Sequence, residues 1–292
     1  MEIREVHEDM VDAVKRFLAD REGFRDSDGW QGLFNYSWKR PAYPFGYAIT
    51  EGEEMLAFVG TIFSERVIAG RNRVCCNMNT WYVLEEHRGR MLAINILRPI
   101  VSMKDVLITA LSPADLTVTV LGRLGFKLLD EEQIAVPIAP AFASVVSRSK
   151  APLVLFDELG IAAYLNADDR KIFNDHSTLE CKHVLIKDRQ TERYCYAVAT
   201  TSRVGKLQWM KGKWLNLCYV SNPDFFVENF QFVRNPLLRR GYFALCYDSR
   251  LIPKRISRLS QTKKKTRQYR CKDEELAKVD NLYSELVTFN KY

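Results

Sequence analysis

The feature that most constrains the fold is a gapless internal match at an offset of 137 residues. It carries Tyr82-Val83 onto Tyr219-Val220, Pro99 onto Pro236, Arg66-Val67 onto Arg203-Val204 and Ser112 onto Ser249. The apolar runs follow: Tyr47-Ala48-Ile49 falls on Val184-Leu185-Ile186, and Val106-Leu107-Ile108 on Phe243-Ala244-Leu245. Proline in a helical pattern removes a hydrogen bond and kinks the helix, so a proline held in register argues for a shared local geometry. A period this long indicates a domain duplication and not a solenoid. The 292 residues suit two domains, and 47% apolar with 27% charged residues suffices for two cores. The expected fold class is α/β: two tandem lobes, residues 1–138 and 153–292, each a mixed, mostly antiparallel sheet flanked by helices. A Pro/Ala/Ser-rich linker is expected at 139–152.

Lobe one reads element by element. Phe45 to Thr50 and Met55 to Ile62 alternate around Glu51-Gly52-Glu53, which is hairpin chemistry. An apolar run (Met78, Trp81, Tyr82, Val83) then stops at a polar turn carrying Arg88, Gly89 and Arg90. Helical spacing begins at once with Met91, Ile94, Leu97 and Val101, predicting a helix over Arg90 to Met103. Free N–H groups of a first helical turn, its dipole and a close-approaching Gly make such a turn a phosphate site; the same residues also fit an ordinary junction with solvated arginines. The helix is apolar almost all round, so Ile96 and Ile100 are expected to be covered by the other lobe or a second subunit. Asp105 to Ala110 reads as a strand, Pro113 to Leu124 as a helix and Gly125 to Leu129 as a strand.

This order, with the Arg-Gly turn after the fourth strand and Leu124-Gly125-Phe126 before the last, resembles the GNAT acyltransferase superfamily over roughly residues 1 to 138. The resemblance implies an acyl-CoA site, acetyl-CoA foremost. The pyrophosphate would sit on Arg88, Gly89, Arg90, Met91, Leu92 and Ala93, and the pantetheine arm along Tyr82, Val83 and Leu84. The family turn is Arg-x-x-Gly-x-Gly/Ala: Arg88 and Ala93 fit, and Met91 replaces the middle Gly. The family often places a Tyr general acid four residues before the Gly of Leu-Gly-Phe; here that residue is Leu121.

Acyl transfer from a thioester needs a deprotonated nucleophile, donors for the oxyanion and a proton for the thiolate. The resemblance implies an oxyanion donor among the backbone N–H groups of Tyr82 to Leu84 and an acceptor base near Asn79 or Thr80, neither of which is an acid. Glu85 and Glu86 are the nearest carboxylates, and Glu85 is the candidate base; both also complement a helix dipole. Ser112 can orient a water or touch the thiol, and it also suits the N-cap of the helix from Pro113. In lobe two, Pro223 and Asp224 stand where lobe one has Glu86 and His87. Pro223 donates no N–H and Asp224 repels a pyrophosphate, so lobe two reads as degenerate, with one CoA per chain.

Charge is concentrated. Of a net +7, nine Lys/Arg lie between Pro253 and Lys272 with no acid, so the remainder is slightly acidic. The run suits an anionic partner (RNA, acidic lipid or charged glycan) or a mobile, solvated loop, and lobe two shows no clear last strand. Leu276, Val279, Leu282, Tyr283, Leu286 and Val287 predict a helix over Glu274 to Phe289, docked on lobe two. The seven cysteines form no metal-ligand spacing, so no metal is expected and reduced thiols are. The N-terminus lacks an apolar h-region and no stretch is long enough to span a bilayer, so a cytoplasmic protein is expected. The leading reading is acyl transfer, acetyl foremost, from acyl-CoA to an amine or hydroxyl of a small or glycan-type acceptor. The alternatives are a tRNA-dependent aminoacyl transferase of the tandem-GNAT kind and a non-catalytic CoA-binding scaffold.

Overall fold

The computed structural model describes residues 1–22, 28–68, 70–88, 91–140, 151–203, 213–272 and 279–289. The first half of the chain runs β1 (Glu2–Val6), α1 (Val11–Glu22), β2 (Gly46–Glu51), β3 (Glu54–Ile68), β4 (Arg71–Val83), α2 (Leu92–Asn95), α3 (Arg98–Val101), β5 (Val106–Ala110), α4 (Asp115–Arg123) and β6 (Lys127–Pro137). The second runs β7 (Leu153–Leu155), α5 (Glu158–Ala162), α6 (Ala167–His176), β8 (Lys182–Lys187), β9 (Tyr194–Arg203), β10 (Lys213–Val220), α7 (Pro223–Arg239), β11 (Tyr242–Asp248), β12 (Gln261–Arg270) and α8 (Glu285–Thr288). Short 3-10 turns occupy Asp28–Leu33 and Glu85–His87.

Two compact units result, and neither is a contiguous half of the sequence. Unit 1 takes Met1–Leu129, Thr266–Val279 and Tyr283–Lys291; unit 2 takes Asp130–Lys265 and Asp280–Leu282. The boundaries read from sequence therefore differ from the units at two strands. Residues 130–137 of β6 belong to unit 2 and residues 266–270 of β12 to unit 1. A strand is placed by the neighbour that takes up its hydrogen bonds, and pairing partners are not written in the local pattern.

In unit 1 the strand order is β1-β2-β3-β4-β5-β12. Pairing is antiparallel except between β4 and β5, which run parallel from Val74↔Val106 to Asn77↔Thr109. Gly52, at φ +61°, closes the β2–β3 hairpin in a conformation that a Cβ resists. The core includes Ile49, Leu56, Phe58, Ile62, Ile96, Ile100 and Leu121, all nearly fully buried. Ile96 and Ile100 are thus inside, but the expected helix is split into α2 and α3. Pro99 lacks an N–H for the carbonyl of Asn95 and its ring crowds that carbonyl, so the ladder breaks there.

In unit 2 the order is β7-β8-β9-β10-β11-β6, antiparallel except for the parallel β10–β11 pair. The 137-residue offset lays β2 on β8, β3 on β9, β4 on β10 and β5 on β11, and β4 and β10 end at the matched residues Val83 and Val220. The core packs Val184, Ile186, Leu215, Leu217 and Leu245 against Phe226, Phe230, Val233 and Leu237 of α7. Pro236, the offset partner of Pro99, lies inside the single helix α7, whereas Pro99 opens α3, so the two prolines do not share the local geometry expected of them.

Two expectations need correction. The basic run is not all solvated loop: its second half is largely β12, whose Gln268, Tyr269 and Arg270 pair with Ala110, Thr109 and Ile108 of β5. Arg267 is fully buried and its Nη1 donates to the carbonyl of Leu111. A run of Lys and Arg carries no apolar alternation, so only its tertiary partners make it a strand. The C-terminal helix is also shorter than expected: residues 279–280 are irregular, 281–284 are bends and α8 covers four residues, while 273–278 lie outside the described residues. Most of this segment packs in unit 1. Phe289 stacks on Trp30 at 4.9 Å, Tyr283 meets Trp38 edge-on at 4.9 Å, and Arg66 lies over the Tyr283 ring.

Candidate functional site

The site in unit 1 begins where β4 leaves β5. After Asn77↔Thr109 the two strands no longer pair, while β4 continues along β3 to Val83. The β3–β4 register slips between Phe58↔Tyr82 and Gly60↔Asn79, so Thr80 and Trp81 together oppose one residue. Thr80 sits at φ +40°, unusual for a β-branched residue. A bulge of this kind bends the strand and re-aims its side chains. Beside it Asn79 is 7% exposed, and neither its amide oxygen nor its amide nitrogen has a hydrogen-bond partner. Its oxygen lies where a Cβ on Gly60 would sit, 2.2 Å away, so only glycine admits it.

The residues expected to hold the cofactor lie at the end of β4. The ring of Tyr82 meets Phe17 edge-on at 5.7 Å, and the Arg88 guanidinium lies over it at 5.7 Å. Arg88 Nε donates to the carbonyl of Val83 at 3.2 Å, which folds the arginine back onto the strand end. Val83 and Leu84 are buried, and the Leu84 N–H donates to the Leu56 carbonyl at 2.9 Å, so it is engaged in the sheet. Gly89 and Arg90 lie outside the described residues. Met91 caps α2 at φ +55° with its side chain 57% exposed, so it takes the left-handed geometry that a glycine would supply. Leu92 and Ala93 open α2, and the first helical hydrogen bonds come from Ile94 and Asn95 to Met91. The N–H groups of Leu92 and Ala93 therefore have no acceptor within the helix.

The catalytic candidates separate. Glu85 is exposed in the 3-10 turn. Ser112 is half-buried and is not the helix cap expected of it: Ala114 is the cap residue of α4. The Ser112 hydroxyl instead donates to the carboxylate of Glu285 at 2.6 Å. Glu285 is 1% exposed; its backbone N–H donates to Asn77 Oδ1 at 3.2 Å, and Asn77 Nδ2 donates to Thr109 Oγ1 at 3.3 Å. Sequence reasoning missed Glu285, because nothing local ties a C-terminal glutamate to the end of β5. Leu121, at the position of the absent tyrosine, is fully buried.

The matching strand end in unit 2 is built differently, around a buried carboxylate. Tyr219 donates from its hydroxyl to Asp169 at 2.8 Å, and Tyr194 does so at 2.7 Å. Burial raises the Asp169 carboxyl, and the two hydroxyls oppose that shift. Asn222 caps α7 by accepting from the Phe225 N–H, Pro223 fills the first turn, and Asp224 pairs with Lys254 at 2.8 Å. Four buried thiols are held protonated: desolvation pushes Cys195 and Cys246 up to about 12, and Cys76 and Cys181 further still. His176 and His183 are buried too; desolvation lowers both, His183 to about 4.

No protein-family model and no curated protein sequence matches the chain. Solved structures do. A GCN5-related N-acetyltransferase from Anabaena variabilis ATCC 29413 superposes with a TM-score of 0.58 at 13% identity, over 92% of this chain and 72% of that one. One from Kribbella flavida gives 0.57 at 15%, over 92% and 70%. A conserved protein of unknown function from Enterococcus faecalis V583, described as a probable N-acyltransferase, gives 0.59 at 9%, over 94% and 73%. The mixed sheet with one parallel pair in each unit, and its superposition on these proteins along most of its length, establish that the chain has the fold of the GCN5-related N-acetyltransferases.

Proposed function

We propose that the protein is an acyltransferase that uses acyl-CoA, acetyl-CoA foremost, and that its donor site lies in unit 1. The observation that carries the reading is the end of β4: it parts from β5 after Asn77, bulges at Thr80 and ends beside Arg88. In this reading the pantetheine arm follows Tyr82, Val83 and Leu84, and the pyrophosphate meets Arg88, Gly89, Arg90, Met91, Leu92 and Ala93. The N–H groups of Leu92 and Ala93 and the Arg88 guanidinium are donors suited to it. The left-handed Met91 supports this, since the backbone there already takes the form of the glycine of the family turn. Unit 2 is read as a degenerate second lobe, because Asp169, Asp224 and Pro223 make the matching strand end hostile to an anion. One CoA per chain follows.

The acceptor is read as an amine or hydroxyl of a small or glycan-type molecule. A second reading, tRNA-dependent aminoacyl transfer, draws on Lys254, Arg255, Arg258, Lys263 and Lys264, which are exposed in unit 2. Thiol release from acetyl-CoA in the presence of amines supports the first reading. Transfer that requires an aminoacyl-tRNA supports the second. CoA binding with neither leaves a non-catalytic binding protein.

A further inference from the structure

We propose that Ser112 and Glu285 are the proton-accepting pair of the unit 1 site, Ser112 touching the acceptor nucleophile and Glu285 acting through it as a positioning residue. The inference rests on the acyl-transfer reading above. A serine hydroxyl alone is a poor base at neutral pH. Coupled to a carboxylate it can pass a proton on, and the 2.6 Å Ser112–Glu285 separation is that of a short, charge-assisted hydrogen bond. Glu285 is held in place independently of Ser112. Its backbone N–H is bound to Asn77, and Asn77 is bound to Thr109 on the last rung at which β4 and β5 pair. The pair therefore stands where the two strands part.

Asn79 supplies the second observation. It lies two residues along β4 from Asn77, hence on the same face, and it is more than nine-tenths buried with both amide atoms unpartnered. An amide buried in this state costs stability unless something binds it. An acceptor that hydrogen-bonds to Asn79 would satisfy it and be held beside the parting strands.

The step balances. The amine lone pair attacks the thioester carbonyl carbon and a C–N bond forms. The C–S bond then breaks and its electron pair leaves with sulfur. The proton shed by nitrogen passes to Ser112 Oγ as the Ser112 proton moves to Glu285. That proton is the one the thiolate finally takes up, which restores the carboxylate.

The experiment uses the full chain with acetyl-CoA as donor and glucosamine, spermidine and Nα-acetyl-lysine amide as acceptors. It follows thiol release, with calorimetric binding of acetyl-CoA and thermal melting in parallel. Glu285→Gln and Ser112→Ala are each expected to lower kcat on the best acceptor about 100-fold. Their KM and Kd for acetyl-CoA should stay within about threefold of the parent, and the double variant should be no slower than either single one. An unchanged kcat in either folded variant, additive losses, or losses matched by weaker donor binding would overturn the proposal. Should Glu285→Gln fail to fold, Ser112→Ala decides, its folding checked by the melting in parallel. A parent protein that binds acetyl-CoA but releases no thiol with any acceptor also overturns it, and leaves the donor site standing. Absence of acetyl-CoA binding defeats the donor-site reading itself.

Discussion

Ser112 and Glu285 are 173 residues apart in sequence and share a 2.6 Å hydrogen bond inside unit 1. The contact exists because the C-terminal segment packs against the turn at Asp28–Leu33 and brings α8 to the end of β5. Gly32 permits that close packing: a Cβ there would lie 2.3 Å from the carbonyl oxygen of Thr288.

Gly32→Ala should therefore destabilise the protein by about 1–3 kcal/mol, since backbone and not a flexible side chain must yield. Urea unfolding measures this as a lower midpoint. Gly122→Ala is the control, because a Cβ at Gly122, in α4, meets nothing within 4 Å. It should leave stability unchanged or raise it by about 0.5–1 kcal/mol.

Met91 holds a left-handed conformation that costs a side chain about 1–2 kcal/mol. Met91→Gly removes that strain and gives back about 0.5–1 kcal/mol in chain entropy, so melting should change little or rise slightly. Met91→Val, β-branched at the same φ, should lower stability by about 1–2 kcal/mol. If the turn receives a pyrophosphate, Met91→Gly should bind acetyl-CoA at least as tightly as the parent. Weaker binding would count against that role.

In unit 2 Arg250 bridges two buried carboxylates, Asp248 at 2.9 Å and Asp130 at 3.1 Å, and also donates to Asn281. Arg250→Met leaves both acids buried without that cation. The expected loss is about 3–5 kcal/mol, read by chemical denaturation. A loss below about 1 kcal/mol would mean that water or protons replace the guanidinium freely.

His183 is expected to make the protein acid-sensitive. Burial holds it at about 4 in the folded chain against an ordinary 6.5, so the unfolded chain takes the proton first as pH falls. Its contribution is complete above pH 6.5 and is lost as pH drops toward 4, by up to about 3 kcal/mol. His176 is lowered in the same sense. Denaturation midpoints of His183→Gln should fall less steeply between pH 6.5 and 4 than those of the parent. Equal slopes would exclude His183 as a source.

Strands β2, β3, β5 and the end of β4 are legible in the sequence, because Phe45 to Ile62 and Tyr82-Val83 alternate and end at turn residues, and the 137-residue offset repeats that pattern onto β8 and β11; β1 and β7 are too short to stand out. The sequence carried the Arg88 turn as far as its composition, including the place of Met91. It did not carry β12, since Lys263 to Arg270 has the composition of a solvated loop and is ordered by its pairing with β5. Nor did it carry Glu285. Ser112 beside Pro113 has the local chemistry of a helix cap, and only the packing of Trp30, Trp38 and Gly32 against the C-terminal segment redirects its hydroxyl.

Calorimetric titration of the full chain with acetyl-CoA decides whether unit 1 holds the donor. One site per chain is expected, weakened about five- to twentyfold in Arg88→Ala as one charge-assisted phosphate contact at an exposed arginine is lost. Absence of binding at millimolar acetyl-CoA, or two sites per chain, would contradict this expectation.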